Sequence, residues 1–298
     1  MKTKTAPQPP PISHAHHAPP AHIRALHKAH QKSPLTSSTV LDFENLPPNF
    51  SSSLPAIATS TISASVASAA FSAFSDDADA TRVETDIRVY KVASVPGLQV
   101  IPNLLPPSLQ KTLLRKLLFR DLSDPRHRTN LHAHYHLPPP PPDVGSYFES
   151  SPETTFRAMN ADGRDLSISR MLDKKLRWVT LGGQYDWSLK KYPLDPSSLP
   201  ERPLSIFTRQ GIRWRLIVII SFGCEALFIA GVGEDEGVVV RVRSGDAVIM
   251  SGEARWAWHS VPTVAAGTCP EWLEEWPEER TEWMRGKRVN LNVRQMWD

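Results

Sequence analysis

Cysteine is nearly absent. Cys224 and Cys269 are the two in 298 residues, too few for the disulfide framework of a small secreted domain. Cys224 lies in an apolar run and reads as a buried free thiol. No run of 18 or more apolar residues occurs, so no membrane span is expected. The N-terminus lacks the apolar core of a secretory signal. Charge imbalance is small as well: 34 lysines and arginines against 31 acids give a net charge of +3, which permits a nucleic-acid partner without arguing for one. These absences predict an intracellular monomer with no membrane partner, in the nucleus or cytoplasm, with the mitochondrion also admitted. The length suits one large domain or two small ones.

Acidic residues are missing altogether from residues 1–40, where His14, His16, His17, His22, His27 and His30 stand among prolines and a few lysines. Residues 51–75 are rich in serine and alanine. Polar, proline-rich sequence cannot bury a core, so residues 1–80 are predicted to be a disordered Pro/His/Ser/Ala-rich tail before a domain over 81–298. Within that domain, Leu109, Leu113, Leu114, Leu117 and Leu118 recur near helical spacing. Runs rich in Val, Ile and Phe over 213–223 and 237–252, with Gly-containing turns between them, read as strands. His132, His134 and His136 alternate but run into Pro138–Pro142, which makes an exposed loop the better reading than a metal site.

Two stretches carry chemistry. In Arg288-Val289-Asn290-Leu291-Asn292-Val293-Arg294, period-two alternation puts the valines and leucine on one face and both arginines and both asparagines on the other. Such a face is either the solvated side of an edge strand or a site for a small dicarboxylate. Arg288 and Arg294 are roughly 20 Å apart along the backbone, and guanidinium forks match carboxylates with two parallel hydrogen bonds. The second stretch, residues 166–192, interleaves Arg170, Lys174, Lys175, Arg177, Lys190 and Lys191 with Trp178, Tyr185 and Trp187. Cations for phosphates and rings for stacking are what an unpaired or flipped base requires.

The order of several blocks resembles the AlkB-like dioxygenases that use Fe(II) and 2-oxoglutarate, and their homologue-1 branch in particular. Arg288–Arg294 is similar to the family's terminal strand. Trp178-Val179-Thr180-Leu181-Gly182-Gly183-Gln184-Tyr185-Asp186-Trp187 resembles its nucleotide lid. Ser221-Phe222-Gly223-Cys224 resembles a central barrel strand, and Ser244–Arg255 with His259-Ser260-Val261-Pro262 resembles the strand pair that ends in an iron ligand. The resemblance implies an α+β, mainly β protein: a double-stranded β-helix, or jelly roll, with flanking helices. It implies 2-oxoglutarate on Arg288, Asn290 and Arg294, Fe(II) on His259, and a substrate lid holding Trp178, Gln184, Tyr185 and Trp187. The activity implied is oxidative demethylation of N-alkylated bases in DNA or tRNA.

One element departs from that pattern. The family binds iron with His-x-Asp and a distal His, and His-x-Asp occurs nowhere in this sequence; after His136 the sequence holds one histidine, His259. The interval from Tyr192 to Ile220, where that element belongs, is short by a few tens of residues, enough to remove one or two barrel strands. Either the recorded sequence has lost a coding segment, or the protein has lost its metal site and kept a nucleic-acid-binding role.

Overall fold

The computed structural model describes residues 18–32, 34–46, 57–75, 77–181, 216–233 and 236–294. The chain divides into two compact units, Met1–Gln110 with Ile212–Asp298, and Lys111–Gly211.

Following the chain, the first unit contributes helix α1 (Ala21–His30), strands β1 (Val40–Leu41) and β2 (Ile57–Ile62), helices α2 (Ala64–Phe71) and α3 (Ala78–Thr81), and strands β3 (Ile87–Val92) and β4 (Leu98–Ile101). Helix α4 (Pro107–Arg115) begins at a proline, whose missing N–H has no partner to lose in a first turn, and widens into a π-helical turn over Lys116–Asp121. Among its described residues the second unit has short strand pairs, β5 (Arg128–Thr129) with β8 (Val179–Thr180) and β6 (Thr155–Phe156) with β7 (Leu166–Ser167), beside the single turn α5 (Ile168–Arg170). Its buried residues include Phe119 and Phe148, stacked with ring centroids 5.1 Å apart, and Tyr147, edge-on to Phe156.

The chain then returns to the first unit with β9 (Ile217–Gly223), β10 (Ala226–Gly231), β11 (Val238–Val242), β12 (Ala247–Met250), β13 (Trp258–Val264), the short helix α6 (Glu271–Glu274) and β14 (Arg288–Arg294). Strands β9 and β10 are buried along their whole length, as continuous apolar runs require. Two sheets result, ordered β1-β11-β10-β13 and β14-β9-β12-β4-β3-β2. Every pairing is antiparallel except β1 with β11. One apolar cluster joins them: Leu98, Val100, Ile217, Ile219, Val248 and Met250 from the larger sheet meet Ala226, Phe228, Ala230, Val238, Val240 and Val242 from the smaller. Side chains from two inner faces filling one layer is the packing of a β-sandwich. The protein is thus α+β and mainly antiparallel strand. Among the described residues no helix is long and apolar enough to cross a membrane.

The described parts of residues 1–80 depart from the expected tail. Helix α1 lies on the outer face of the smaller sheet, where Leu26 and Leu35 pack on Val40, Leu227, Ile229 and Val239. His27 Nδ1 is 2.9 Å from Ser260 Oγ on β13, and the Thr263 hydroxyl donates to the His30 carbonyl. Strand β2 extends the larger sheet, and the Ser63 hydroxyl caps α2 by accepting from Val66 N–H. Composition misleads here because these segments need no core of their own. A few well-spaced apolar residues suffice to dock on sheets already formed.

Leu41 and Phe43 enter the main core, and Asp42 between them points the other way. Its carboxylate takes both terminal nitrogens of Arg243 at 2.8 and 2.7 Å and one of Arg241 at 3.2 Å. Burial alone would raise the Asp42 pKa, but the hydrogen bonds from Arg243 and Asn45 and the charges of Arg243 and Arg241 hold it far below the ordinary carboxylate range. A depressed folded pKa adds stability that is complete above the unfolded value of about 4 and is lost as pH falls through the folded one. Asp42→Ala should destabilise the protein by about 2 kcal/mol at pH 7; this is less than for a fully buried pair, since Glu225 and Glu44 still face the two arginines. Urea titrations at pH 7 and pH 3 check it: the difference between variant and wild type should shrink at the lower pH.

Candidate dicarboxylate and metal site

Strand β14 pairs with β9 along its full length, Arg288 opposite Gly223, Asn290 opposite Ser221, Asn292 opposite Ile219 and Arg294 opposite Ile217. Directly paired residues share a face. Because Ile217 and Ile219 belong to the inter-sheet core, the polar side of β14 faces the space between the sheets. Val289, Leu291 and Val293 take the outer side. The polar side is thus the inner side of an end strand, with three of its four residues still exposed.

The four polar residues are not equivalent. Arg288 is half-buried, and its Nη2 donates to Ser221 Oγ at 2.8 Å. Its Nε is buried with no hydrogen-bond partner among the described residues. Burial pulls its pKa down to about 10, the mark of a cation held without a matching anion. Asn290, Asn292 and Arg294 are exposed, and Arg294 Nε reaches Asn292 Oδ1 at 3.4 Å. Exposure follows from position, since β14 is the end strand of its sheet.

His259 stands on β13 opposite Ala230, a core residue, so it too faces inward, with its ring 6.1 Å from that of Phe228. Nδ1 lies 3.0 Å from the Ala257 carbonyl. Donation there leaves the Nε2 lone pair free, the arrangement found in metal-ligating histidines. Burial, helped by the charges of Arg294 and Arg255, holds its pKa below the ordinary value.

His259 on β13 and Arg288, Asn290 and Arg294 on β14 thus occupy the inward sides of their two strands. Trp178 belongs to the second unit, where it is 43% exposed. Asn130 fixes the chain there, accepting from Arg177 N–H at 2.8 Å and donating to the Lys175 carbonyl at 2.9 Å. Gln184, Tyr185 and Trp187 lie outside the described residues. His132 and His134 sit in a turn, as the prolines suggest; His132 Nδ1 accepts from Thr129 N–H. Ser221, the partner of Arg288, escaped the sequence reading, though a lone serine in the run Ile217–Phe222 was a visible signal.

A dicarboxylate such as 2-oxoglutarate fits this chain, because the enclosed Nε of half-buried Arg288 is in need of an acceptor. Fe(II) in a two-His-one-carboxylate set does not. Among the described residues no three His, Cys, Asp or Glu side chains cluster, and the sequence supplies no second histidine beyond residue 136.

Residues 213–294 match the family model of the 2OG-Fe(II) oxygenase superfamily. Over 274 residues the chain is 36% identical to "N6-methyladenosine RNA demethylase ALKB1" of Pyricularia oryzae, covering 71% of this chain and 78% of that protein. It is 36% identical over 223 residues to "N6-methyladenosine RNA demethylase ALKBH" of Cryphonectria parasitica, covering 56% of this chain and 100% of that one. It is 30% identical over 254 residues to "tRNA demethylase abh1" of Schizosaccharomyces pombe, covering 72% and 83%. In the second comparison 56% of 298 residues is about 167, against 223 aligned positions. A few tens of that relative's residues therefore have no counterpart here, in keeping with the short interval after Tyr192. The chain belongs to the AlkB-like 2-oxoglutarate- and Fe(II)-dependent dioxygenases, in their homologue-1 branch.

Proposed function

We propose that the two sheets are the frame of a double-stranded β-helix and that this protein serves oxidative removal of methyl groups from nucleic-acid bases. The observation that carries the proposal is Arg288: half-buried, held by Ser221, with an enclosed Nε short of an acceptor, and on the same strand face as Asn290 and Arg294. In this reading Arg288 anchors one carboxylate of 2-oxoglutarate, while Asn290 and Arg294 bound it toward the open end of the strand. Trp178, Gln184, Tyr185 and Trp187 are the residues to which this reading assigns recognition of the base. The substrate class, an N-methylated base in RNA or DNA, comes from what the relatives are named for and from the cation-and-aromatic pattern of residues 166–192. Fe(II) supplies the oxidising chemistry in the family. Since the donors here do not complete its site, no step is assigned to it.

That shortfall favours a second reading, a nucleic-acid-binding module without turnover. Incubating the purified full chain with an N6-methyladenosine-bearing oligoribonucleotide, 2-oxoglutarate, Fe(II) and ascorbate separates the two. Release of succinate and formaldehyde in equal amounts supports the demethylase. Salt-sensitive oligonucleotide binding without succinate supports the module. The absence of both overturns both.

A further inference from the structure

Trp256 has the side chain of a core residue and the exposure of a surface one. It ends the 3₁₀ turn Gly252–Trp256 that leads into β13, and it is 42% exposed. The turn is pinned at both ends. Ser251 N–H donates to the Gly97 carbonyl, Ala254 N–H to Pro96 and Ala257 N–H to Ala254. Ala254 and Ala257 are buried in the inter-sheet core. With its flanks fixed, the indole cannot turn inward without displacing both alanines. The Arg255 guanidinium lies over the ring, 5.2 Å from its centroid. The turn is coupled to the candidate site by the Ala257 carbonyl, which receives His259 Nδ1–H.

An exposed indole with a cation over one face, three residues from an inward-facing histidine, has the chemistry of a stacking platform. Aromatic rings accept any base, and arginine beside them meets phosphate. Arg294, exposed at the end of β14, adds a second positive charge toward His259. Glu253, exposed in the same turn, is the local charge against an anion. We propose that Trp256 holds an unpaired base of single-stranded nucleic acid beside the inward-facing His259, the indole stacking on the base and Arg255 adding positive charge at the ring. This rests on the nucleic-acid reading above and adds to it a contact outside the 166–192 lid.

The test measures binding of a fluorescein-labelled, unmodified 12-nucleotide single-stranded RNA to the full chain by anisotropy. Trp256→Ala should weaken affinity about tenfold or more, the worth of one stacked base, with its thermal midpoint within about 2 °C of wild type, as for a surface substitution. Trp256→Phe should recover most of the loss. Wild-type affinity in Trp256→Ala overturns the platform and leaves the nucleic-acid reading standing. No binding by wild type overturns both. Concentration-dependent self-association that Trp256→Ala abolishes, with RNA binding unchanged, assigns the ring to a protein contact and overturns the platform.

Discussion

Replacing Arg288 with methionine is expected to remove 2-oxoglutarate binding and make the protein more stable at once. The two effects have one cause. Arg288 sits in the core wall with Ser221 Oγ as its hydrogen-bond acceptor and with Nε buried and unpaired. Desolvation of that charge opposes folding, and burial has pulled its pKa down to about 10. A folded pKa below the unfolded value means that folding disfavours the charged form, at full strength at every pH below about 10. Methionine fills a similar volume without the charge, a kind of exchange that is neutral or stabilising when buried charges are removed. A carboxylate supplies the missing acceptor. Truncating one side of a buried, hydrogen-bonded charge pair costs roughly 2–5 kcal/mol, or about 30-fold and upward in affinity. Calorimetric titration of 2-oxoglutarate together with thermal denaturation checks both halves. Wild type should gain thermal stability on adding ligand, and Arg288→Met should start higher and gain nothing. Arg288→Lys should bind weakly, because an ammonium keeps the charge without the fork. Undiminished affinity in Arg288→Met would assign the dicarboxylate elsewhere.

The face to which Arg288 belongs is legible in the sequence; its depth is not. Alternation in Arg288–Arg294 is local, and the strand keeps it. Whether an arginine on that face is buried depends on what lies opposite and beside it. Arg288 meets Gly223 and Ser221, whereas Arg294 meets Ile217 on an end strand and stays exposed. Strands β9, β11 and β12 were readable for the same local reason, as apolar runs within 213–223 and 237–252. Helix α1 and strand β1 were not. Their histidines and prolines set the composition, while docking depends on Ile23, Leu26, Leu41 and Phe43 finding sheets that come later in the chain. The exposure of Trp256 has no local signature, since the buried Ala254 and Ala257 that flank it are not recognisable as anchors from sequence.

Gly223→Ala should be among the most damaging single methyl groups that can be added to the first unit, and it should disturb the dicarboxylate site from a distance. Gly223 has φ +87°, where an L-residue is strained. A β-carbon there would lie 2.4 Å from the Lys287 carbonyl oxygen and 2.6 Å from Met284 Cε. The methionine tip can swing away; the carbonyl cannot, because it accepts Cys224 N–H at 2.8 Å. Nor can Gly223 retreat easily. Its N–H donates to Ser244 Oγ at 2.9 Å, and that hydroxyl donates to buried Gln110. Relief must come from Lys287 moving, and Arg288 is the next residue. The left-handed conformation alone costs about 1–2 kcal/mol, and the backbone clash should bring the total to about 3 kcal/mol or more, a fall of roughly 6–12 °C in thermal midpoint. Gly267→Ala is the matched control: its φ is +80° and nothing lies within 4 Å of the added carbon, so it carries the conformational cost without the clash. If the two variants unfold at the same temperature, close approach of β14 to Gly223 is not what fixes Arg288. If Gly223→Ala unfolds well below Gly267→Ala and binds 2-oxoglutarate more weakly under conditions where it remains folded, the glycine sets the position of the arginine through the backbone of Lys287.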